Sequence, residues 1–372
     1  MAANSKNATR PQNVLAKENA INMRIASELL PRLPSFVAEY DQYLDTEGRS
    51  VKTREAYLKD ITYFFEYMIG GTGLSEAAST KDITLEEIAN LKGRDVNSYL
   101  NYIKMYEEGG KTIENGKDSR ARKRSSIVGL LKYLYRYDLI EHDISGKILS
   151  VSVKNEHTVV KALQENESAE LMEVVETGFG LTPTQLKFWK HTRYRDRLII
   201  ALLSIAGLRV SELQQLNISS FNLKREEFIV YRKRGKESVL PLNRTLTAIF
   251  EEYMANDRKI CTDVASGHED ALFLCMKTEA RDPDGNIVKL GRTRLSERQI
   301  RDIVHKYTAI VIGDKKGYSP HKLRATAATV AIQRGNDISR VASLLDHDSV
   351  TTTKRYVKVT AEDKRKVLES MD

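Results

Sequence analysis

Residues 319–356 read SPHKLRATAATVAIQRGNDISRVASLLDHDSVTTTKRY, and this stretch determines the fold and chemistry expected of the chain. Ser319 suits a helix N-cap, and Pro320 suits the first helical position, where a missing N–H costs nothing. His321 and Arg324 are three residues apart, so they share one face of the first turn, beside the positive end of the helix dipole. The start of this helix is therefore a candidate anion site.

The second half of the stretch adds a histidine and a tyrosine. Gly335 ends the first helix, and Asp337 can cap a second one with an apolar inner face. His347 follows that helix, and Tyr356 lies nine residues later on a short polar segment. An anion site, a second histidine and a tyrosine together indicate phosphoryl chemistry with a tyrosine nucleophile.

Composition limits the class of protein. The chain has 372 residues, enough for two domains, and a net charge of +8, which favours a polyanionic partner without requiring one. Cys261 and Cys275 are too few for a disulfide framework and form no zinc motif. The N-terminus has no apolar segment typical of a signal peptide, and no apolar run has membrane-spanning length. We expect a cytoplasmic protein that has no membrane partner.

The pattern predicts two domains. Residues 1–30 read as a partly disordered extension, residues 31–145 as a helical domain, residues 146–160 as a linker and residues 161–372 as a catalytic domain. In the helical domain, apolar residues recur at offsets of three and four, while GGKTIENGKD reads as a loop. The fold class expected is mainly α with a small antiparallel β-sheet.

A basic cluster marks the start of a long helix predicted over about residues 119–140. Cations at a helix N-terminus oppose the dipole, so phosphate contact would explain them, although a solvated helix end is the simpler interpretation. The candidate DNA-contact residues of this cluster are Arg120, Arg122, Lys123 and Arg124.

Two further segments carry cations. In AGLRVSEL, Arg209 follows a buried helix and either projects into a cleft or forms a surface ion pair with Glu212. The segments FIVYRK and ESVLPL are rich in β-branched and aromatic residues, which predicts a hairpin. Lys233 ends its first strand, and Arg234 and Lys236 occupy its tip as candidate DNA contacts.

Four blocks, AGLRVSEL, YRKRGKESVLPL, SPHKLRATAAT and LLDHDSVTTTKRY, occur in this order over about 150 residues. Together they resemble the tyrosine recombinase family, which includes phage integrases and Xer proteins. The resemblance implies a helical core-binding domain and a mixed α/β catalytic domain that form a C-shaped clamp around DNA. The activity implied is site-specific recombination.

The resemblance also implies a mechanism and a set of catalytic residues. A tyrosine attacks the scissile phosphate to give a 3′-phosphotyrosyl link, which conserves the energy of the phosphodiester, so no ATP, metal or other cofactor is expected. The residues at the family's catalytic positions are Arg209 (first arginine), Lys233 (hairpin lysine), His321 and Arg324 (the histidine–arginine pair), His347 (second histidine) and Tyr356 (nucleophile).

The partner implied is a double-stranded DNA target, bound by a homo-tetramer that acts on two duplexes. The family exchanges a C-terminal helix between neighbours, and an apolar stripe in residues 361–371 fits such a helix. Packing of this helix on its own domain remains an equal alternative.

Other functions remain open at this point. A type IB topoisomerase uses similar chemistry as a monomer without a fixed target, and a DNA-binding regulator would have lost catalysis. A metal nuclease using Asp346 and Asp348 lacks a third carboxylate nearby in the sequence. Asp346 stands where the family usually has glycine, and it adds a negative charge beside the anion site.

Overall fold

The computed structural model describes residues 12–150, 162–232, 236–276, 279–281, 287–289, 291–314 and 317–346. The chain divides into two compact units, Gln12–Glu156 and a second unit that begins at His157. Each unit is described by itself below.

The first unit is helical, with one hairpin. Ser50 caps the helix that begins at Val51 by accepting a hydrogen bond from the Thr53 N–H at 3.2 Å. Thr84 and Glu87 form the predicted capping box. Its elements are α1 (Gln12–Leu29), α2 (Ser35–Thr46), α3 (Val51–Ile69), α4 (Leu85–Asn90), α5 (Gly93–Tyr102), β1 (Met105–Glu108), β2 (Lys111–Glu114) and α6 (Lys117–Arg136).

The core of this unit lies between α3 and α6. Both helices carry apolar residues at offsets of three and four, so each presents one continuous stripe. The buried residues of the two stripes are Leu58, Ile61, Phe64, Phe65 and Met68 on α3, and Ile127, Leu130, Leu131 and Leu134 on α6.

One element of this unit was not predicted and one prediction was wrong. Helix α1 lies in the second part of the segment predicted as a partly disordered extension, whose residues 1–11 lie outside the described part of the chain. The stretch predicted as a loop, residues 109–118, contains the turn and second strand of the β1–β2 hairpin, in which Met105 pairs with Glu114. Gly109 and Gly110 make its turn with φ of 57° and 73°, a backbone region that favours glycine. A two-residue glycine turn therefore closes a hairpin whose strands are too charged to be recognised by composition.

The second unit contains eight helices and five strands among the residues that the structure describes. They are α7 (Glu165–Thr177), α8 (Pro183–Trp189), α9 (Arg193–Ser204), α10 (Val210–Gln214), β3 (Phe221–Asn222), β4 (Glu227–Tyr231), β5 (Glu237–Pro241), α11 (Arg244–Tyr253), β6 (Glu279–Arg281), β7 (Ile287–Lys289), α12 (Glu297–Ile312), α13 (Pro320–Gln333) and α14 (Ile338–Leu345). The sheet β3-β4-β5 is antiparallel, and Tyr231 pairs with Glu237 next to the predicted hairpin tip.

Helix α9 is the centre of this unit. Its residues 198–204 are all buried, and α7, α11 and α13 pack around it. The segment ALFLCM was predicted as a strand, but it makes only isolated bridges, Asn217 with Ala271 and Leu274 with Arg294. Its apolar side chains are buried in the core all the same, so composition indicated burial correctly and strand pairing wrongly.

A buried polar network joins α9 to α12. Asp196 accepts hydrogen bonds from Arg195 at 2.8 Å, Lys306 at 3.0 Å and the Tyr307 hydroxyl at 2.9 Å. Burial opposes ionisation of Asp196, but the charges of Arg195 and Lys306 outweigh it and hold the pKa of this carboxyl below its ordinary value.

The fold class agrees with the sequence: the chain is mainly helical, with small antiparallel sheets. Among the described helices, none combines the length and the apolar character that crossing a bilayer requires.

Candidate active site

Helix α13 carries two of the predicted site residues. Ser319 occupies the N-cap position in extended conformation and Pro320 is the first helical residue, as the sequence predicts. Arg324 is only 2% exposed. Its guanidinium donates to the carbonyl of Gly207 at 2.5 Å and to the carbonyl of Leu345. Arg324 therefore links the end of the α9 segment to the end of α14.

Gly207 is required at that junction. Its φ is +66°, and a Cβ there would lie 2.4 Å from a methyl group of Leu345. Any larger residue would meet both a backbone penalty and a steric clash. This glycine brings Arg209, two residues later, to the N-cap of α10.

Arg209 and Glu212 form a close pair. The Arg209 N–H donates to Glu212 Oε2 at 2.8 Å, and its guanidinium donates to Oε1 at 2.7 Å. A further donation reaches the Asp346 carbonyl at 3.1 Å. The Arg209 side chain keeps 36% of its surface exposed, whereas that of Glu212 is 2% exposed. The ion pair considered from sequence exists, but its carboxylate is buried, so the surface-pair interpretation was wrong.

Glu212 is shared by three arginines. Besides Arg209, the guanidinium of Arg232 lies at 3.5 Å and that of Arg324 at 3.9 Å. Arg232 also donates to the carbonyls of Leu344 at 3.0 Å and Leu345 at 3.3 Å. Three guanidinium groups around one carboxylate leave this cluster with an excess of positive charge.

Sequence reasoning missed Arg232, although a signal was present. Phe228 and Val230 of β4 and Arg232, one residue past its end, are spaced two apart, and all three are buried. Because side chains of a strand alternate between its faces, this spacing places Arg232 on the inward face. A cation at such a position needs an acidic partner, which Glu212 supplies.

His321 lies beside the same arginines. Its imidazole is exposed on one side, while partial burial on the other, together with the charges of Arg324 and Arg209, lowers its pKa. His321 is therefore neutral at neutral pH in the absence of a bound anion. The structure thus brings together three of the predicted catalytic residues: Arg209, His321 and Arg324.

Asp346 ends α14 in the left-handed conformation, with φ of 49°. Its carboxylate accepts a hydrogen bond from Lys236 at 3.0 Å. Burial opposes ionisation, but this bond and the charges of Arg232, Lys236 and Arg209 hold the pKa of Asp346 below its ordinary value. The added negative charge is therefore neutralised locally.

Several predicted residues lie outside the described part of the chain. They are the catalytic candidates Lys233, His347 and Tyr356, the tip residue Arg234, and Asp348 of the nuclease alternative. Their roles stay predictions. Within the described ranges, His, Cys, Asp and Glu side chains form no group of three or more that could hold a metal ion.

The predicted DNA-contact cluster on α6 has intramolecular partners. Arg122 pairs with Asp60, and Lys123, which is buried, lies 3.4 Å from the same carboxylate. Arg124 donates to the carbonyls of Ile148 and Leu149. Phosphate contact stays a prediction for these residues and for Arg120, and burial gives it least support at Lys123.

Comparison with known proteins agrees with this geometry. The model of the phage integrase family matches residues 161–363, which span the arginine cluster. The chain belongs to the phage integrase family. It is a tyrosine recombinase, as the order of its four sequence blocks indicated.

Relatives of this recombinase include bacterial Xer proteins. It is 29% identical over 329 residues to the tyrosine recombinase XerC of Pelotomaculum thermopropionicum, covering 87% of this chain and 94% of that protein. It is 27% identical over 367 residues to XerS of Streptococcus mutans, covering 92% and 97%. Both alignments therefore extend over both units.

Solved structures show the same fold. The XerH recombinase bound to palindromic difH substrate matches with a TM-score of 0.60 and 18% identity, over 87% of this chain and 80% of that one. A lambda integrase dimer bound to a COC′ core site matches with a TM-score of 0.57 and 17% identity, over 88% and 95%. At this identity, the likeness establishes the architecture of the recombinase and no more.

Proposed function

We propose that this recombinase cleaves and rejoins DNA strands at a specific site through a 3′-phosphotyrosyl intermediate. Tyr356 is the proposed nucleophile. The proposal includes a homo-tetramer acting on two duplexes, with no metal ion or ATP taking part in the reaction.

The observation that carries this proposal is the charge of the arginine cluster. Arg209, Arg232 and Arg324 lie within 4 Å of Glu212, so two positive charges remain uncompensated by that carboxylate. A phosphodiester is an anion that Arg can bind bidentately. Arg209 is the side chain with an open face, so it is the proposed contact to a non-bridging oxygen. Its hold on that oxygen strengthens as negative charge grows in the transition state.

The proposed cleavage step exchanges one phosphorus–oxygen bond for another. A bond forms between the Tyr356 oxygen and phosphorus, and the bond from phosphorus to the 5′-oxygen breaks. The phenol loses its proton, which costs roughly 4 kcal/mol at pH 7 for a group of pKa about 10. Neutral His321 is the proposed acceptor or hydrogen-bond partner at this stage, because its pKa is lowered by burial and by Arg324 and Arg209. Lys233 is the proposed proton donor to the leaving 5′-oxygen, and religation to another strand reverses these steps.

Assembly and location belong to the same proposal. One solved structure with this fold is a lambda integrase tetramer bound to a Holliday junction. We extend that arrangement to this chain, with residues 361–371 as the exchanged helix. The named relatives are bacterial proteins, so we place the activity in the cytoplasm, at the nucleoid.

The test is covalent trapping on a nicked duplex that loses its 5′-hydroxyl fragment after cleavage. The native protein should form an adduct that survives denaturant, and the adduct should persist in excess EDTA. Tyr356→Phe should bind the duplex equally well and form no adduct. Tyr194→Phe, elsewhere in the catalytic unit, is the matched control and should form the adduct normally.

Three results would count against the proposal. An adduct in the Phe variant would mean that another residue is the nucleophile. Loss of cleavage in EDTA that magnesium restores would contradict metal-free chemistry. Adducts spread over many unrelated sequences, with relaxation of supercoiled plasmid, would favour the topoisomerase alternative.

A further inference from the structure

The first unit contains a cavity of about 330 Å³ that has no part in the proposed catalysis. It lies between the C-terminal half of α3, the end of α5 and strand β1. Its walls are mainly aromatic, and we call it the tyrosine cavity after the five side chains that line it: Tyr63, Tyr67, Tyr99, Tyr102 and Tyr106.

Four of these rings form one continuous aromatic wall. The ring centroids of Tyr67 and Tyr99 are 5.2 Å apart, those of Tyr67 and Tyr102 are 5.1 Å apart, and those of Tyr102 and Tyr106 are 5.6 Å apart. The rings are tilted against each other by 33–57°. Faces of the rings carry partial negative charge, so a wall of this kind attracts cations.

The hydroxyl of Tyr99 lacks a hydrogen-bond partner among the described residues, although Tyr99 is fully buried. Buried hydroxyl groups are nearly always paired, because leaving one unpaired costs about 1–3 kcal/mol. Of the groups that act electrostatically on this hydroxyl, Asp60 acts most strongly and lies outside the cavity lining, whereas Tyr106, Glu66 and Tyr63 line the cavity together with Tyr99 itself. The ring that carries the unpaired oxygen therefore forms part of the cavity wall.

The charge at the cavity is mainly negative. Glu66, Glu107 and Glu108 line it. Glu66 and Glu108 both line the cavity, and burial together with the charge of Glu108 raises the pKa of Glu66. Phosphate or another anion would be repelled here, whereas a cation would relieve the repulsion between the carboxylates.

The structure already holds one ammonium group against this wall. Lys123 Nζ lies 4.3 Å from the ring centroid of Tyr63, and Asp60 neutralises it at 3.4 Å. This contact involves one edge of the cavity only. Lys123 also lines the cavity, but Glu66, Glu107 and Glu108 form no ion pair with it or with another cation among the described residues.

We propose that the tyrosine cavity binds an alkylammonium group, with the rings of Tyr67 and Tyr102 against its methylene chain, the Tyr99 hydroxyl accepting an N–H, and Glu66 and Glu108 supplying the charge. The ligand class is a primary alkylammonium, which a free polyamine or a lysine side chain can supply. This site does not depend on the proposed recombination chemistry.

The test uses the full-length protein with its tyrosine rings labelled with ¹³C, titrated with 1,4-diaminobutane at constant ionic strength set by NaCl. Saturable shifts of cavity resonances should appear, assigned from the single Tyr→Phe variants, with a dissociation constant at or below about 1 mM. Sodium chloride alone should not produce them.

Variants separate a binding role from a structural one. Tyr99→Phe keeps the ring and removes the unpaired oxygen, so binding should weaken about tenfold, because hydrogen bonds to charged groups are the stronger ones. Thermal stability without the amine should stay equal or rise, since no bond is lost. Glu66→Gln should weaken binding about threefold, the size expected of a partly exposed ion pair. Tyr135→Phe and Glu86→Gln, exposed positions away from the cavity, are the matched controls.

Two outcomes would overturn the proposal: no saturable shift up to about 10 mM amine, or binding that Tyr99→Phe and Glu66→Gln leave unchanged. The source of the ammonium group is decided by a second titration, with N-acetyl-lysine methylamide. Tighter binding of the diamine assigns the cavity to free polyamines, and equal binding assigns it to a lysine side chain of a protein partner. Covalent DNA trapping, measured separately, should be the same in all four variants.

Discussion

Replacing Glu212 with alanine should strongly destabilise the second unit, which contains the candidate active site. The carboxylate is 2% exposed and lies within 4 Å of three guanidinium groups. Arg232 and Arg324, with side chains 2% and 3% exposed, would lose their shared negative charge while staying buried. Breaking a buried ion pair by removing one partner costs about 3–5 kcal/mol, because the remaining charge is uncompensated.

Other contacts of the three arginines change this free-energy cost little. The pair with Arg209 is partly exposed and adds at most about 1 kcal/mol. Arg232 and Arg324 retain their bonds to the carbonyls of Leu344, Leu345 and Gly207, which limits the loss. We therefore expect the free energy of unfolding to fall by about 3–5 kcal/mol in Glu212→Ala. Glu212→Gln keeps an acceptor of the same length, so it should cost less.

Urea unfolding followed by tryptophan fluorescence measures this directly. Trp189 is the only tryptophan of the chain and lies in the catalytic unit, where its indole N–H donates to the Val175 carbonyl at 2.8 Å. The signal therefore reports on that unit alone. Glu251→Ala, at an exposed position of α11, is the matched control and should change stability by less than about 0.5 kcal/mol. A loss below about 1 kcal/mol in Glu212→Ala would refute the reasoning, because the helix-end carbonyls alone would then hold the arginines.

Three further predictions concern charge. In Arg209→Ala, the pKa of His321 should rise toward its ordinary value, because one of the cations that lower it is gone. NMR titration of the imidazole measures this pKa, and an unchanged midpoint would mean that Arg209 does not lower it. The lowered pKa of the Asp196 carboxyl gives the native protein stability that is present above about pH 4 and is lost as pH falls through that pKa. Asp196→Asn should remove this contribution, so urea midpoints measured from pH 7 to pH 3 should vary less in the variant than in the native protein. Replacing Arg120 and Arg122 with alanine should flatten the slope of log affinity for DNA against log salt by about 1–2 units, and an unchanged slope would end the phosphate-contact prediction for α6.

The sequence predicted those parts of the fold that follow from local rules. Ser319 and Pro320 start α13, and β-branched residues of FIVYRK and ESVLPL form the β4–β5 hairpin. The hairpin at Gly109 was missed because its strands are charged and mostly exposed, so neither composition nor alternation distinguishes them from a loop.

The candidate site was predictable in its individual residues and unpredictable in its contacts. Arg209, His321 and Arg324 could be identified by position. The burial of Glu212 could not, since a glutamate three residues after an arginine is usually a surface partner. Its environment depends on β4 and α14, which are remote in sequence, and only folding brings them together.

The β4–β5 hairpin is fastened to the end of α14 at two points of different strength. After the end of β4, Arg232 is buried and bonded to the carbonyls of Leu344 and Leu345. Before the start of β5, Lys236 holds Asp346 with a side chain that is 67% exposed, so salt or a competing phosphate can release it. Lys233 lies between these two points in the chain. Because Arg232 and Lys233 are neighbours in sequence, release of the Lys236 contact would leave the residue next to the proposed proton donor bonded to α14.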